Sequence, residues 1–493
     1  MAPTEETSLL AKSEYGKIVH VGGEQEPEFK CEHPPLQKDI HDTIYLAGPI
    51  FAAMLSWVGM KTTDTALLGH VSADALAAAA LSDLWTMCTG VLIQGRILSV
   101  LCGAAVGANN PKLAGIYLQV SYFVLAGLCI VVFICWCLTG VVWKAFGSDP
   151  EIAEMAGFYA KVLALSIPGQ LIFSQLSQFF QAQRIMYPEV NASLAALFLN
   201  LALGLIFVLG WPFPDYGGYG FPACPTVTTT VVYIQIIIFY VVYILIQKLH
   251  EPCWGGWSFK EITWERIKTF SDLYFPAAFG MASDFWRVAV VGAIAADLGE
   301  LQVAVFNTSY RVMWICLVLV TALSSAAGIK MSQRLGDMDP NGAKQAGEVG
   351  IGLSFAVLLV IIIGVYFKTR MFGKIFTHDE EFLDIFESTR VPFCVTLFMM
   401  NFSVAIERIP YSMGRTKEVF WMGLVASWGA QVPGVYLLTT YWREDLFGLY
   451  TGMAIGYTVL ALLYGYVCVT SDWKKYALIA RQRSEVSDTP DVP

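Results

Sequence analysis

From Ile44 to Thr470 the chain is a succession of apolar blocks, each near the length a helix needs to cross the hydrocarbon core, parted by short polar breaks. Nothing in the sequence constrains the fold more. Inside a bilayer every backbone N–H and C=O must be satisfied within the protein, which leaves helices or a closed barrel. The blocks lack the apolar–polar alternation of barrel strands. They run over 44–62, 76–100, 113–143, 152–181, 188–210 and 222–247, then over 270–296, 301–328, 345–367, 382–407, 417–440 and 446–470. The expected fold is an all-α polytopic membrane protein with twelve transmembrane helices, six in each of two lobes.

Composition agrees. Charged residues make up 14% and mean hydropathy is +0.56, whereas soluble domains are about one-quarter charged. No basic patch points to nucleic acid. The 11 cysteines are scattered without a paired spacing, which argues against a disulfide scaffold or a metal site. Residues 1–43 are polar and lack a signal-peptide core, so they read as a disordered cytosolic tail. Within them, Glu5-Glu6-Thr7-Ser8-Leu9-Leu10 has the form of an acidic dileucine sorting signal. The stretch 250–268 is amphipathic and linker-like. It divides an N-lobe over 44–249 from a C-lobe over 269–475, with a cytosolic tail over 476–493. Lys248, Lys260, Lys268, Lys330, Arg334, Arg415 and Lys474 all fall on the side of the linker, which places both termini in the cytosol.

The halves repeat one another. Gly107, Pro111, Lys112 and Gly115 return as Gly336, Pro340, Lys344 and Gly347 (340 − 111 = 229). Phe146-Gly-Ser-Asp149 returns as Phe376-Thr-His-Asp379 (376 − 146 = 230), and Pro49 as Pro276 (276 − 49 = 227). An even number of helices separates the copies, so they share one orientation. That is a parallel repeat about an axis along the membrane normal, a transporter architecture.

Charges inside the blocks are the candidate functional groups. Asp284 and Arg287 lie three residues apart within 270–296, on one helix face. A charge at that depth needs a partner or a wet cavity. Two readings stand: a structural ion pair, or an Asp284 that faces a cavity and binds a proton, a sodium ion or a cationic substrate. Gln170, Ser174, Gln178 and Gln181 form a polar stripe, suited equally to cavity lining and to helix–helix hydrogen bonds. Trp57, Phe285, Trp286, Tyr310 and Trp314 could offer aromatic faces to an organic cation. Asp83, Arg96 and Arg311 also fall within helices and read as paired groups. His70, His250 and His378 lie near helix ends with no nucleophile or metal set at their depth, so an embedded enzyme is not expected.

At Leu46-Ala47-Gly48-Pro49, Asp64-Thr65-Ala66-Leu67-Leu68-Gly69-His70 and Gly103-Ala-Ala-Val-Gly107, the chain resembles the multidrug and toxic compound extrusion (MATE) family, nearest its DinF-like branch. Gln183 to Pro188, Lys330 to Gly336 and Asp472-Trp473 share the likeness, which extends over about 44–475. The resemblance implies two lobes around a central cavity, acting as a monomer, that exchange a small organic substrate for a coupling cation. That cation would be a proton, with sodium as the alternative; no other cofactor is implied. A lipid or precursor flippase on a related fold is the nearest rival. By the same resemblance Asp64 and Asn200 match a coupling-ion pair of the N-lobe, although Gly204 stands where the family often has a second acid. Asp284 stands where many members have Glu, Asn401 lies near a family acid, and Glu407 is displaced from it by about two turns. The membrane would be the plasma membrane or that of a vacuole, endosome or other organelle.

Overall fold

The computed structural model describes residues 29–30, 34–213, 217–374, 377 and 379–485. The dileucine-like motif, His20, His33, Phe376 and His378 lie outside the described residues. Every regular element among the described residues is helical. In the first half α1 (Leu36–Gly69) leads to α2 (Ala73–Gly90) and α3 (Leu98–Gly107), one span broken by a 3-10 turn at Val91–Ile93. Then come α4 (Pro111–Cys137), the short α5 (Thr139–Ala145), α6 (Pro150–Ala164) with α7 (Ile167–Ala182), α8 (Tyr187–Phe207), and α9 (Ala223–Phe239) with its π-helical end Tyr240–Ile246. The second half has α10 (Trp264–Asp297), α11 (Glu300–Gly336), α12 (Pro340–Gly373), α13 (Glu380–Ser388) and α14 (Arg390–Ser412). It closes with α15 (Thr416–Leu424) and α16 (Val432–Tyr441) on either side of a π segment, Val425–Gln431, then α17 (Leu446–Thr470) and α18 (Trp473–Glu485). Ten spans are long and apolar enough to cross a membrane alone, and the pair α6–α7, bent by 49°, makes an eleventh. The run from α15 through the π segment to α16, Thr416–Tyr441, is one further broken helix.

Several boundaries differ from expectation, each for a local reason. Helix α1 begins at Leu36, inside the expected tail, because Asp39 and Thr43 find buried partners in the other half. It continues to Gly69, seven residues past the expected end at 62, and so takes in Asp64. Residues 250–268 do not form one amphipathic helix. The 3-10 turn Glu251–Cys253 folds back on α4, a second follows at Phe259–Glu261, and α10 starts at Trp264, where the Thr263 hydroxyl caps the Arg266 N–H. In the expected C-terminal tail, α18 packs against both halves. Asn110 and Tyr117 donate to the Ser484 and Arg483 carbonyls at 3.1 Å, and Arg481 donates to the Ala108 carbonyl at 3.0 Å. None of the ten described cysteines is in a disulfide.

The repeat extends to the defects in the helices. Left-handed residues follow equivalent helices at Asn109 and Met338 (338 − 109 = 229) and at Arg184 and Gly414 (414 − 184 = 230). The α4–α5 break at Leu138–Thr139 recurs as a kink at Lys368 within α12 (368 − 139 = 229). The motifs around Asp149 and Asp379 are N-caps: each carboxylate accepts the backbone N–H two residues on, at 2.9 and 3.1 Å.

On the side of the linker the two halves touch through glycine. A Cβ on Gly107 would lie 1.9 Å from the Gln333 carbonyl oxygen, and one on Gly336 would lie 2.1 Å from that of Ala104. These contacts exchange under the repeat (336 − 107 = 333 − 104 = 229), so the pseudo-twofold axis passes between them. Charge reinforces the seal. Asp39 of α1, fully buried, accepts from Arg334 at 2.6 and 2.8 Å and from Gln345 at 3.1 Å, and it pairs with Lys330. Lys330, also buried, donates to the Asp39 carbonyl at 2.8 Å and to Thr43 at 3.1 Å. Across the same junction Arg184 donates to Gln333 at 2.6 Å and Gln333 to the Ala182 carbonyl at 2.7 Å.

Because the obstruction at Gly107 is backbone, Gly107→Val should force α3 and α11 apart at a cost of about 1–3 kcal/mol. Spin labels on α3 and α11 would then report a longer distance at this end. An unchanged distance distribution would mean that the glycine contact does not hold the halves closed.

Candidate functional site

Asp64 sits in α1, 4% exposed, between α8 and α9. Asn200 of α8 donates to its Oδ1 at 2.8 Å and Thr228 of α9 donates to its Oδ2 at 3.0 Å. The Thr228 hydroxyl has a second acceptor in reach, the Cys224 carbonyl one turn back at 3.1 Å. The Asn200 Oδ1 is buried without a partner. One turn before Asp64, Lys61 pairs with Asp83 of α2 at 2.8 Å. The pocket therefore holds one acid with neutral donors, beside a cation already engaged elsewhere. Gly204 brings no second acid to this pocket, and the end of the Leu67 side chain lies against it, Cδ1 2.4 Å from where a Cβ would stand.

In the other lobe the Asp284–Arg287 pair is closed at 3.2 Å but unequal in burial: the Arg287 side chain is 6% exposed and that of Asp284 52%. Arg287 points into its lobe. It donates to Ser427 at 3.2 Å and Gln431 at 2.9 Å, both on the π segment, and to Tyr457 of α17 at 3.2 Å. Its guanidinium also lies 4.8 Å from the Tyr457 ring centroid. The widened π turn sets Ser427 and Gln431 on the face toward α10, a use typical of such insertions. A charge at membrane depth needs a partner or a wet cavity; Asp284 has Arg287 as its partner and leaves about half of its side chain open.

The other expected residues are distributed unevenly. Trp286 and Trp57 are exposed, and Phe285 packs on Trp314 with ring centroids 6.2 Å apart. Tyr310 stacks on Phe306 at 6.0 Å. Gln178 is buried and bridges helices, donating to the Gly95 carbonyl at 3.2 Å, while Gln181 donates to Glu189. Asn401 is fully buried and donates to the Leu397 carbonyl of its own helix at 2.8 Å. Glu407 is half-buried on the same helix, two turns nearer the glycine seal. Sequence reasoning missed Thr228, Ser427, Gln431 and Tyr457. Each is reached only through tertiary contacts more than 130 residues apart in the chain.

Arg287→Lys tests the Arg287 cradle. A single ammonium cannot reproduce the planar fork that reaches Ser427, Gln431 and Tyr457 together. Losing two hydrogen bonds from a buried cation should cost about 3 kcal/mol, read as a lower thermal midpoint in detergent. A midpoint equal to that of wild type would show that the cradle does not anchor Arg287.

The profile of the MatE family matches residues 49–206 and again residues 276–437, the two halves of the repeat. The chain belongs to the MatE family. It is accordingly a multi-span membrane transporter and not an enzyme. Among curated MATE relatives, Protein DETOXIFICATION 9 of Arabidopsis thaliana is 24% identical over 445 residues, 89% of this chain and 90% of that one. Multidrug and toxin extrusion protein 1 of Danio rerio is 24% identical over 349 residues, 70% of this chain and 57% of that one. Of solved MATE folds, the eukaryotic transporter AtDTX14 superposes with a TM-score of 0.83 at 21% identity, covering 91% of this chain and 99% of its own. A transporter from Pyrococcus furiosus gives 0.78 at 17%, covering 92% and 100%. These likenesses carry the two-lobe, twelve-helix architecture.

Proposed function

We propose that this MATE transporter exports small organic compounds, organic cations among them, in exchange for protons, with both termini in the cytosol. The N-lobe over 44–249 and the C-lobe over 269–475 rock about the pseudo-twofold axis, and the linker 250–268 joins them. In the arrangement described, the glycine seal closes the cytosolic end, so the space beside Asp284 opens outward. Asp64 and Asp284 are the coupling carboxylates, one in each lobe.

The observation that carries the reading is the Asp64 pocket. Ionised, the carboxylate accepts from Asn200 and Thr228. Protonated, it can donate to the Thr228 oxygen while that hydroxyl turns to the Cys224 carbonyl. One acid thus has satisfied partners in both states, as proton exchange requires. Sodium needs several converging oxygens, and Gly204 supplies no second carboxylate beside Asp64. The unpartnered Asn200 Oδ1 is the one feature on the side of sodium. Asp284 suits the same cycle. When it takes a proton, Arg287 keeps three neutral acceptors, Ser427, Gln431 and Tyr457.

Purified protein in liposomes, loaded with a fluorescent organic cation, tests the proposal. A pH gradient without sodium should drive its export, and a sodium gradient at equal pH should not. Export under sodium alone would assign the coupling to sodium. Equal flux without either gradient would indicate a channel or an uncoupled flippase.

A further inference from the structure

Along the outer wall of the N-lobe, α4, α7 and the end of α9 enclose an open groove of about 740 Å³. Its sides are the bilayer-facing surfaces of three spans, with Ile130, Phe133, Ile172 and Tyr240 exposed along it. Apart from the hydroxyls of Tyr122 and Tyr240, its polar groups gather at one end. There the linker places His250, Trp254 and Trp257 across the mouth. Trp254 and Trp257 meet edge to face, centroids 5.2 Å apart, and neither indole N–H is bonded among the described residues. The His250 Nδ1 is buried and also without a partner.

This end is built, not incidental. Gln119 of α4 holds the linker with both faces of its amide, donating to the Gly256 carbonyl and accepting from the Ser258 N–H, each at 2.9 Å. Gly115 lets the linker approach, since a Cβ there would lie 2.4 Å from the Cys253 carbonyl oxygen. The linker occurs once in the chain, so the repeat supplies no counterpart to this end in the C-lobe.

Depth and chemistry identify the occupant. Trp257, Phe259 and Trp264 are exposed on the linker, where aromatic side chains mark the headgroup level of a membrane. From there the groove follows α4 from Leu118 to Phe133, about 22 Å of helix. One leaflet provides about 15 Å of hydrocarbon and a further 5–7 Å of interface. The groove is thus as long as one lipid of one leaflet. Two indole N–H groups at its mouth offer donors to phosphate and ester oxygens, and the remainder is apolar apart from the hydroxyls of Tyr122 and Tyr240. We propose that the groove is a binding site for one glycerophospholipid of the linker-side leaflet, its acyl chain between α4 and α7 and its headgroup at His250, Trp254 and Trp257. A lipid held there braces the N-lobe wall against the linker that joins the two lobes.

The test uses the full-length protein in phosphatidylcholine vesicles containing a phosphatidylcholine with a photoactivatable acyl chain. Crosslinked residues are mapped by mass spectrometry and compared with Val360 and Ile363, exposed on α12 away from the groove. Crosslinks should concentrate at Ile130, Phe133 and Ile172. Ala126→Trp and, independently, Ile172→Trp fill the groove and should lower labelling at Ile130 and Phe133 by about tenfold, with Val360 unchanged. Excess unlabelled phosphatidylcholine, added to the wild-type protein, should compete. Groove labelling no greater than that of Val360 and Ile363 would reduce the site to ordinary annular lipid and overturn the proposal. So would competition by a sterol or by the transported cation with none by phosphatidylcholine.

Discussion

Asp64→Asn is expected to abolish gradient-driven export while the protein remains folded and inserted. The substitution keeps the shape and one acceptor of the carboxylate, so Asn200 retains a partner. The group can no longer exchange a proton. Coupling between proton and substrate sites of the usual size, about 1–3 kcal/mol, corresponds to a shift in substrate affinity of about 5–150-fold between protonated and deprotonated states. The variant should lose that shift: binding of the organic cation becomes independent of pH, and downhill exchange can persist. Asp284→Asn should lose coupled export too, since the Asp284 side chain is half-exposed and open to a proton. Asp284→Glu should retain part of it. Coupled export at the wild-type rate by either Asn variant would remove that residue from the mechanism.

Asp39→Ala should be the most destabilising single change on the linker side. Asp39 is fully buried and is the anion for both Lys330 and Arg334. Truncating it leaves two buried cations uncompensated, a situation worth about 3–5 kcal/mol. Because the three residues join α1 to α11, the cost falls on the arrangement in which the linker-side end is sealed. Opening at this end should therefore gain, seen as greater spin-label distances between α1 and α11 and as alkylation, from the linker side, of a cysteine placed at Ser332. Asp39→Asn should lie between Ala and wild type. A sealed end and an unchanged thermal midpoint in Asp39→Ala would show that the cluster is a bystander to the opening.

Hydrophobic spacing made the spans legible, and the repeat was legible because it is written in backbone punctuation. Pro111 and Pro340 open helices, Asp149 and Asp379 cap them, and Gly107 and Gly336 pack against backbone. Such roles depend on local geometry and leave a mark at fixed spacing. Asp39 left none: a polar residue ahead of the first apolar block reads as tail until Lys330 and Arg334 arrive from 291 and 295 residues away. The Asp64–Asn200 contact could be anticipated only from family resemblance, and Thr228 not at all, since Thr is common in spans and its spacing carries no signal. Gln178 shows the converse. Its place in a polar stripe suits a cavity, yet its amide serves the break between α2 and α3 by holding the Gly95 carbonyl. Arg287 reads from sequence as the partner of Asp284. Packing adds that most of its hydrogen bonds go to neutral groups of α17 and the π segment.

The most direct measurement follows proton movement itself. Protein in sodium-free liposomes with a pH-sensitive dye inside and no imposed gradient is given an organic cation from outside. Substrate entry through a proton antiporter must carry protons out, so the lumen should become alkaline with wild-type protein and remain unchanged with Asp64→Asn. Substrate entry without a change in lumenal pH, or an undiminished pH change in Asp64→Asn, would contradict proton coupling at this carboxylate.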